Sequence, residues 1–451
     1  MSIMFIIVAA ILLLGPLIAI HEFGHYIVAR KLGVKVLVYS IGFGPTVLQW
    51  TSKKSGINYR LAALPLGGYV RMLDEREGNV PAEEAHLAFN NQSPLKRIAI
   101  VAAGPLINLL LAVLLFWGLY LPESEQLNTR VGKVLEQSPA ALVDLRVGDR
   151  ITAVDQQETP NWEKLNYMLL ERMGETGVIN FTVDRAGQSL EKQLPIEHFI
   201  KDQSQSPLQT LGFLPYQPDI KPILGQIAED GAAARQGLKV GDQITAIDGK
   251  PTKDWFEVVE QIRQSPEKLL VFTITRNGET LDVKVMPQTK RDAMGNETGM
   301  IGAGIQKQDF KIPEEYLLKV KYSPSEAMLM AVDKTWQLSV MTVNGIVKMI
   351  RGLIGLDNLS GPITIAKVAG QSAEMGWQTF ISFMALMSVS LGVLNLLPIP
   401  MLDGGHLLYY FIEMIRGRPV SEQVQVAGFK IGMFLLGAMM LLALINDIMR
   451  L

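Results

Sequence analysis

Residues 21–25 read HEFGH. Histidines four apart lie one turn apart on a helix, so the rings of His21 and His25 point the same way. Two neutral imidazoles so placed can hold a zinc ion, while Glu22 takes a proton from the water that the metal activates. With five histidines in 451 residues, such a motif is hard to reach by accident. The bland alternative is an interfacial histidine pair ending an apolar helix. Two ligands do not complete the site, because a catalytic zinc takes three protein ligands and keeps one position open. His86 falls in a polar loop and His198 in an external repeat. Residues 394–406 read LNLLPIPMLDGGH. Two prolines within three residues break a helix, and broken backbone at membrane depth is tolerated only where protein or a water-lined cavity receives it. The break delivers Asp403, an acid in a nearly charge-free stretch, as the expected third ligand, with His406 as the competitor. Asn395, about two turns earlier, either donates to a substrate carbonyl or bonds a neighbouring helix.

The elements that must position these residues are membrane spans. Ser2–Ile20, Ile98–Leu121 and Met375–Leu402 carry no charged side chain, and neither does the shorter Ile431–Asn446. A span needs about 20 apolar residues, so the last must extend backwards with Lys430 snorkelling. The first stretch lacks a basic start and an A-x-A cleavage site, and is expected to be retained as a helix. Ionisable residues at the end of such a span are functional by default. Basic residues from Arg30 to Arg97, together with Arg416 and Arg418, place those loops in the cytoplasm. Both termini and the stretch from about 122 to 374 are then expected outside. Composition agrees with spans joined to a polar region: 48% hydrophobic and 19% charged residues, with mean hydropathy +0.21. A net charge of −2 gives no sign of nucleic-acid binding, and the absence of cysteine excludes disulfides, thiolate ligands and thiol nucleophiles.

The external stretch is a repeat. GKVLEQSPAALVDLRVGDRITAVD at 132–155 returns as GQIAEDGAAARQGLKVGDQITAID at 225–248, an offset of 93. A strand, a helical pattern and an alternating strand pair follow in each copy. Each copy resembles a bacterial PDZ domain, in which a peptide lies beside an edge strand. Leu211-Gly212-Phe213 and Ile301-Gly302-Ala303 look like the loops that receive a peptide terminus. The alternative is that Gly212 and Gly302 sit at strand ends of two structural modules. A capping box, Ser323-Pro324-Ser325-Glu326, then opens an amphipathic helix, expected to lie on the membrane or against the repeats. Ile57–Met72 reads as an apolar hairpin turning at Gly67-Gly68, either a plain cytoplasmic hairpin or an edge that holds an extended substrate.

The expected fold class is a polytopic α-helical membrane protein with four transmembrane helices, a cytoplasmic-side membrane-associated β-hairpin and two tandem external PDZ domains. The expected segments are 1–121 (spans one and two, HEFGH and hairpin), 122–220 and 221–310 (the PDZ domains), 311–374 (the amphipathic segment) and 375–451 (spans three and four). HEFGH, NLLPIPMLDGG, GPLIN at 104–108 and SGPITIA at 360–366 together resemble the site-two protease family of intramembrane zinc metalloproteases, over essentially the whole chain. The tandem repeat resembles that family's bacterial regulator-of-sigma-E branch. The resemblance implies one zinc ion on His21, His25 and Asp403, Glu22 as base, Asn395 holding the substrate backbone, and a membrane-reentrant β-loop at Gly67 and Gly68. It further implies an inner-membrane enzyme whose partners are lipid and a single-span, anti-sigma-factor-like protein already shortened outside. The rival reading is a membrane-anchored PDZ scaffold with a non-catalytic metal site.

Overall fold

A computed structural model describes residues 2–200, 206–228, 230–291, 297–306, 308, 311–356 and 359–449. They form two units. One gathers the chain up to Glu123 with Lys321–Ile350 and Leu359–Asp447; the other is centred on Ser124–Val320.

The first unit contains helices α1 (Ile3–Lys31), α2 (Pro94–Tyr120), α3 (Pro324–Ile350), α4 (Pro362–Glu374), α5 (Trp377–Leu396), α6 (Asp403–Arg416) and α7 (Glu422–Met449), with strands β1 (Val36–Thr51) and β2 (Asn58–Met72). Four of these helices, α1, α2, α5 and α7, are long and apolar enough to cross a membrane. Ser2 caps α1 by accepting the Phe5 amide, and the helix runs without a break through HEFGH. Helices α1, α3, α5 and α6 all pack on α2. Small residues permit the approach: a Cβ on Gly24 would overlap the Ala103 carbonyl, and one on Gly392 would lie 3.0 Å from the Pro105 carbonyl.

The amphipathic α3 packs on α2 and α5. Its buried Ala327, Ala331, Thr335 and Leu338 recur every turn, so a narrow face of mostly small side chains meets the neighbours. Its capping box forms, with Glu326 accepting the Ser323 amide at 2.8 Å and Ser323 Oγ accepting the Glu326 amide at 3.3 Å. The loop expected between the third and fourth spans, which holds Arg416 and Arg418, begins with the helix α6. The hairpin expected within Ile57–Met72 is not formed, because Asn58–Met72 is one strand and the turn falls at 52–57.

That strand pairs with β1, and the ribbon curls on itself. Val38, Tyr39, Ser40 and Ile41 are flanked on one side by Arg71, Val70, Tyr69 and Gly68, and on the other by Asn58, Tyr59, Arg60 and Leu61. Residues 48–51 then pair with 58–61. The outer edge of 68–72 therefore pairs with no strand among the described residues. Glycine is required at 67 and 68 for close approach rather than for a turn. A Cβ on Gly67 would overlap the Phe43 ring, and one on Gly68 would lie 2.7 Å from both Cγ of Glu22 and the Ser40 carbonyl. Tyr39 ties the ribbon to α1 by donating to the Ala19 carbonyl at 2.6 Å.

In the second unit the repeat is visible in the strands. One four-stranded antiparallel sheet has the order Gln157–Glu158, Arg150–Val154, Gly177–Arg185, Gln188–Ile196; the other has Lys250–Pro251, Gln243–Ile247, Leu270–Arg276, Glu279–Val285. The longest helix of each copy is Trp162–Glu171, capped by Asn161, and Trp255–Arg263, capped by Asp254. Leu165, Phe181 and Phe213 are central to the first core, Val258 and Phe272 to the second. Beneath each sheet a buried acid is held in the same way. Asp149 receives two bonds from Arg185 and one from the Arg146 amide; Asp242 receives two from Arg276 and one from the Lys239 amide.

Candidate metal centre

The break after α5 brings an acid to the histidines. Residues 397–402 turn with Met401 at φ +82°, in the left-handed region that strains any residue with a Cβ. Gly404 and Gly405 let α6 start against this turn, since a Cβ on either would overlap or crowd the Leu397 and Ile399 carbonyls. Asp403 is thereby the first residue of α6, where the helix dipole favours an anion. A buried ion pair of Arg97 and Glu413 at 2.6 Å holds α6 to α2, with the Arg97 guanidinium 4.7 Å above the Tyr410 ring.

His21, His25 and Asp403 converge, the only such group of potential metal ligands found among the described residues. Nε2 of His21 and Nε2 of His25 are 3.3 Å apart, and Asp403 Oδ2 lies 3.2 and 3.4 Å from them. A tetrahedral zinc with bonds of about 2.0–2.1 Å separates its ligand atoms by roughly 3.3–3.4 Å. The three atoms therefore already form one face of such a tetrahedron. Asp403 Oδ2 is buried without a hydrogen-bond partner among the described residues, although a buried carboxylate oxygen ordinarily has one. Two nitrogens, one carboxylate oxygen and an orphaned acceptor fit zinc.

The surroundings hold the rings. His25 Nδ1 is 2.9 Å from the Ile100 carbonyl, an acceptor that puts the proton on Nδ1 and leaves the Nε2 lone pair free. Gly104 lies directly against this ring, where a Cβ would overlap Nε2 of His25. His21 Nδ1 is 3.2 Å from Nδ2 of Asn108. Glu22 is 8% exposed, and its side chain lies against Gly68, with Oε1 3.2 Å from where a Cβ there would be. Gly68 thus belongs to the wall beside Glu22, while Gly67 lies against the Phe43 ring. Asn395 sits half-buried at the end of α5, before the turn, and its side chain makes no hydrogen bond among the described residues. His406 is exposed, stacks on Tyr410 and is not in the metal group.

Gly212 and Gly302 belong to the repeats. Both have positive φ, +86° and +71°, and their carbonyls accept the amides of Leu135 and Ala228, each at 2.8 Å. Sequence reasoning assigned no role to Asn108, whose signal was its place in GPLIN, one turn beyond Gly104.

The model of peptidase family M50 matches residues 9–439. The chain belongs to peptidase family M50. Relatives of this M50 peptidase span its full length. A regulator of sigma E protease from Salmonella typhi is 41% identical over 453 residues, covering 100% of both chains. The regulator of sigma-E protease RseP of Escherichia coli strain K12 is 41% identical, covering 98% of both. A Vibrio cholerae protein named as a zinc metalloprotease is 38% identical, covering 98% of both. Among solved structures, the PDZ domain of an SdrC-like protein from Listeria innocua is 20% identical, covers 20% of this chain and 97% of its own, and has a TM-score of 0.17. The M50 chain is a zinc metalloendopeptidase of the site-two protease type.

Proposed function

We propose that this peptidase cleaves transmembrane segments of single-span proteins, with His21, His25 and Asp403 holding one zinc ion and Glu22 acting as general base. The triangle of donor atoms, 3.2–3.4 Å on each side, carries this reading. Bound there, zinc supplies Lewis-acid polarisation of the scissile carbonyl and makes the attacking water more acidic. Glu22 takes the proton from that water and delivers it to the departing amine nitrogen. A transmembrane substrate hides its carbonyls in its own helix and must be unwound first. The unpaired outer edge of 68–72, beside Glu22, can receive an extended segment by strand addition. Asn395 is placed in the role of holding that segment's backbone.

The cytoplasmic side is assigned to the metal centre on the basic residues between α1 and α2, and the outer side to both termini and the repeats, in an inner membrane. The repeats, 122–220 and 221–310, are read as paired PDZ domains, with Gly212 and Gly302 at their peptide-receiving loops. Relatives named for sigma-E regulation support a substrate of the anti-sigma-factor kind, shortened outside before it is cut. The repeats then act as a size filter. Deleting residues 127–309 is expected to let the enzyme cut the intact substrate, and unchanged discrimination would sink the filter.

The mechanism itself is tested with a short single-span substrate in membranes. Glu22→Gln keeps size and both histidines. It is expected to retain zinc and lose about 10²–10⁴ in cleavage rate. Equal cleavage by both proteins would remove Glu22 as the base. Absence of cleavage by the parent, despite binding, would favour the scaffold reading.

A further inference from the structure

Asn108 lies one turn beyond Gly104 on the same face of α2. It is 0% exposed, and its backbone carbonyl accepts from Ser388 Oγ at 2.7 Å. Its side-chain nitrogen Nδ2 faces His21 Nδ1 at 3.2 Å, while its Oδ1 is buried with no hydrogen-bond partner among the described residues. A buried carbonyl oxygen ordinarily has a donor.

The tautomer of His21 decides where that oxygen belongs. Nε2 of His21 is the atom that faces Asp403 and His25. To be a ligand it must offer a lone pair, and the ring proton then sits on Nδ1. An N–H at Nδ1 needs an acceptor. Nδ2 of Asn108 cannot accept, but Oδ1 can, and a half-turn of the carboxamide exchanges the two. We propose that Asn108 Oδ1 accepts the Nδ1–H of His21, fixing the tautomer and ring plane with which His21 holds zinc. The same half-turn gives the orphaned oxygen a donor. Asn108 is then a positioning residue, doing for His21 what the Ile100 carbonyl does for His25. The inference rests on the reading of His21 as a zinc ligand.

The test is zinc affinity, read by competition with a chromophoric chelator on the purified full-length protein in lipid nanodiscs. Asn108→Leu keeps the volume and removes the acceptor; its zinc dissociation constant is expected to rise by about 10–100-fold. Asn108→Asp presents an acceptor whichever way it turns and is expected to stay close to the parent. Should Asn108→Leu fail to fold, Asn108→Asp still decides, because weak zinc binding by that variant overturns the proposal. Parental affinity in a folded Asn108→Leu overturns it as well. A parent that binds no zinc, or binds it equally after His21→Ala, removes the zinc reading itself and the inference with it. A parent that binds through His21 but is indifferent to Asn108 removes the inference alone.

Discussion

Buried carboxylates occur in both units, and one of them is treated unlike the rest. Asp149 and Asp242, 1% and 0% exposed, have a guanidinium on both oxygens and a backbone amide besides. Asp447 at the end of α7, also 1% exposed, accepts the amides of Gly361, Ile363 and Thr364 and the Thr364 hydroxyl, closing the start of α4. Asp403 is different. Its Oδ2 is buried, has no hydrogen-bond donor among the described residues, and points at two imidazole nitrogens. A buried acid that is fully donated to fixes the fold; one left short of donors beside two imidazole nitrogens has the make-up of a metal ligand, the role proposed for Asp403.

The sharpest way to break this contrast is to make the same change in both places. Asp403→Asn removes a ligand and is expected to abolish zinc binding and cleavage while hydrogen exchange in the repeats stays as in the parent. Asp242→Asn leaves Arg276 facing a neutral amide. It is expected to destabilise the second repeat by about 3 kcal/mol with zinc content and cleavage of a short substrate unchanged. Loss of zinc from Asp242→Asn, or its retention by Asp403→Asn, would show that the distinction drawn from donor counts is wrong.

A smaller effect is expected from the glycines that bring helices to the site. Gly104→Ala puts a methyl where Nε2 of His25 lies, so the ring must move off the donor triangle. Zinc affinity is expected to fall about 10–100-fold, the range seen when a ligand's support is lost. Gly118→Ala, on the same helix with open space around it, is the matched control and should leave affinity unchanged. Equal losses in both would mean the helix, not the ring, is being perturbed.

How much of this could be read in the sequence follows from the range of each signal. HEFGH and the repeat offset are local patterns, and both lie where the periodicity puts them. The broken helix at Pro398 and Pro400 pointed to Asp403 because an acid in an apolar stretch has few places to go. Gly67 and Gly68 misled, because glycine is most often a turn signal. Here it answers side chains distant in sequence, Phe43 and Glu22, and that information lies in the register of β1 with β2. The α6 helix was legible in the apolar spacing of HLLYYFIEMI, which the reading of a loop between two spans passed over. Asn108 stood out only as the last residue of GPLIN, and the side chain it meets, His21, lies 87 residues away with no local pattern to announce it.

Acid gives the finest test, because it acts on the satisfied carboxylates gradually. Burial alone raises the Asp149 and Asp242 carboxyls, but the bonds from Arg185 and Arg276, with the Arg146 and Lys239 amides, outweigh it and hold both below the ordinary value. A group whose folded pKa is depressed stabilises the fold fully above its unfolded value, about 3.9 for aspartate, and loses that contribution as pH falls through the lower folded value. The repeats are therefore expected to keep their full stability from pH 7 to 5 and to weaken only below about pH 4. Hydrogen exchange in strands Arg150–Val154 and Gln243–Ile247 of the full-length protein would follow the two copies separately. In Asp242→Asn the second repeat starts weaker and responds less to acid, while the first, with Asp149 intact, keeps the parental response. If both repeats of the variant lose protection together, the two modules share one cooperative transition, and the acids do not act each within its own copy.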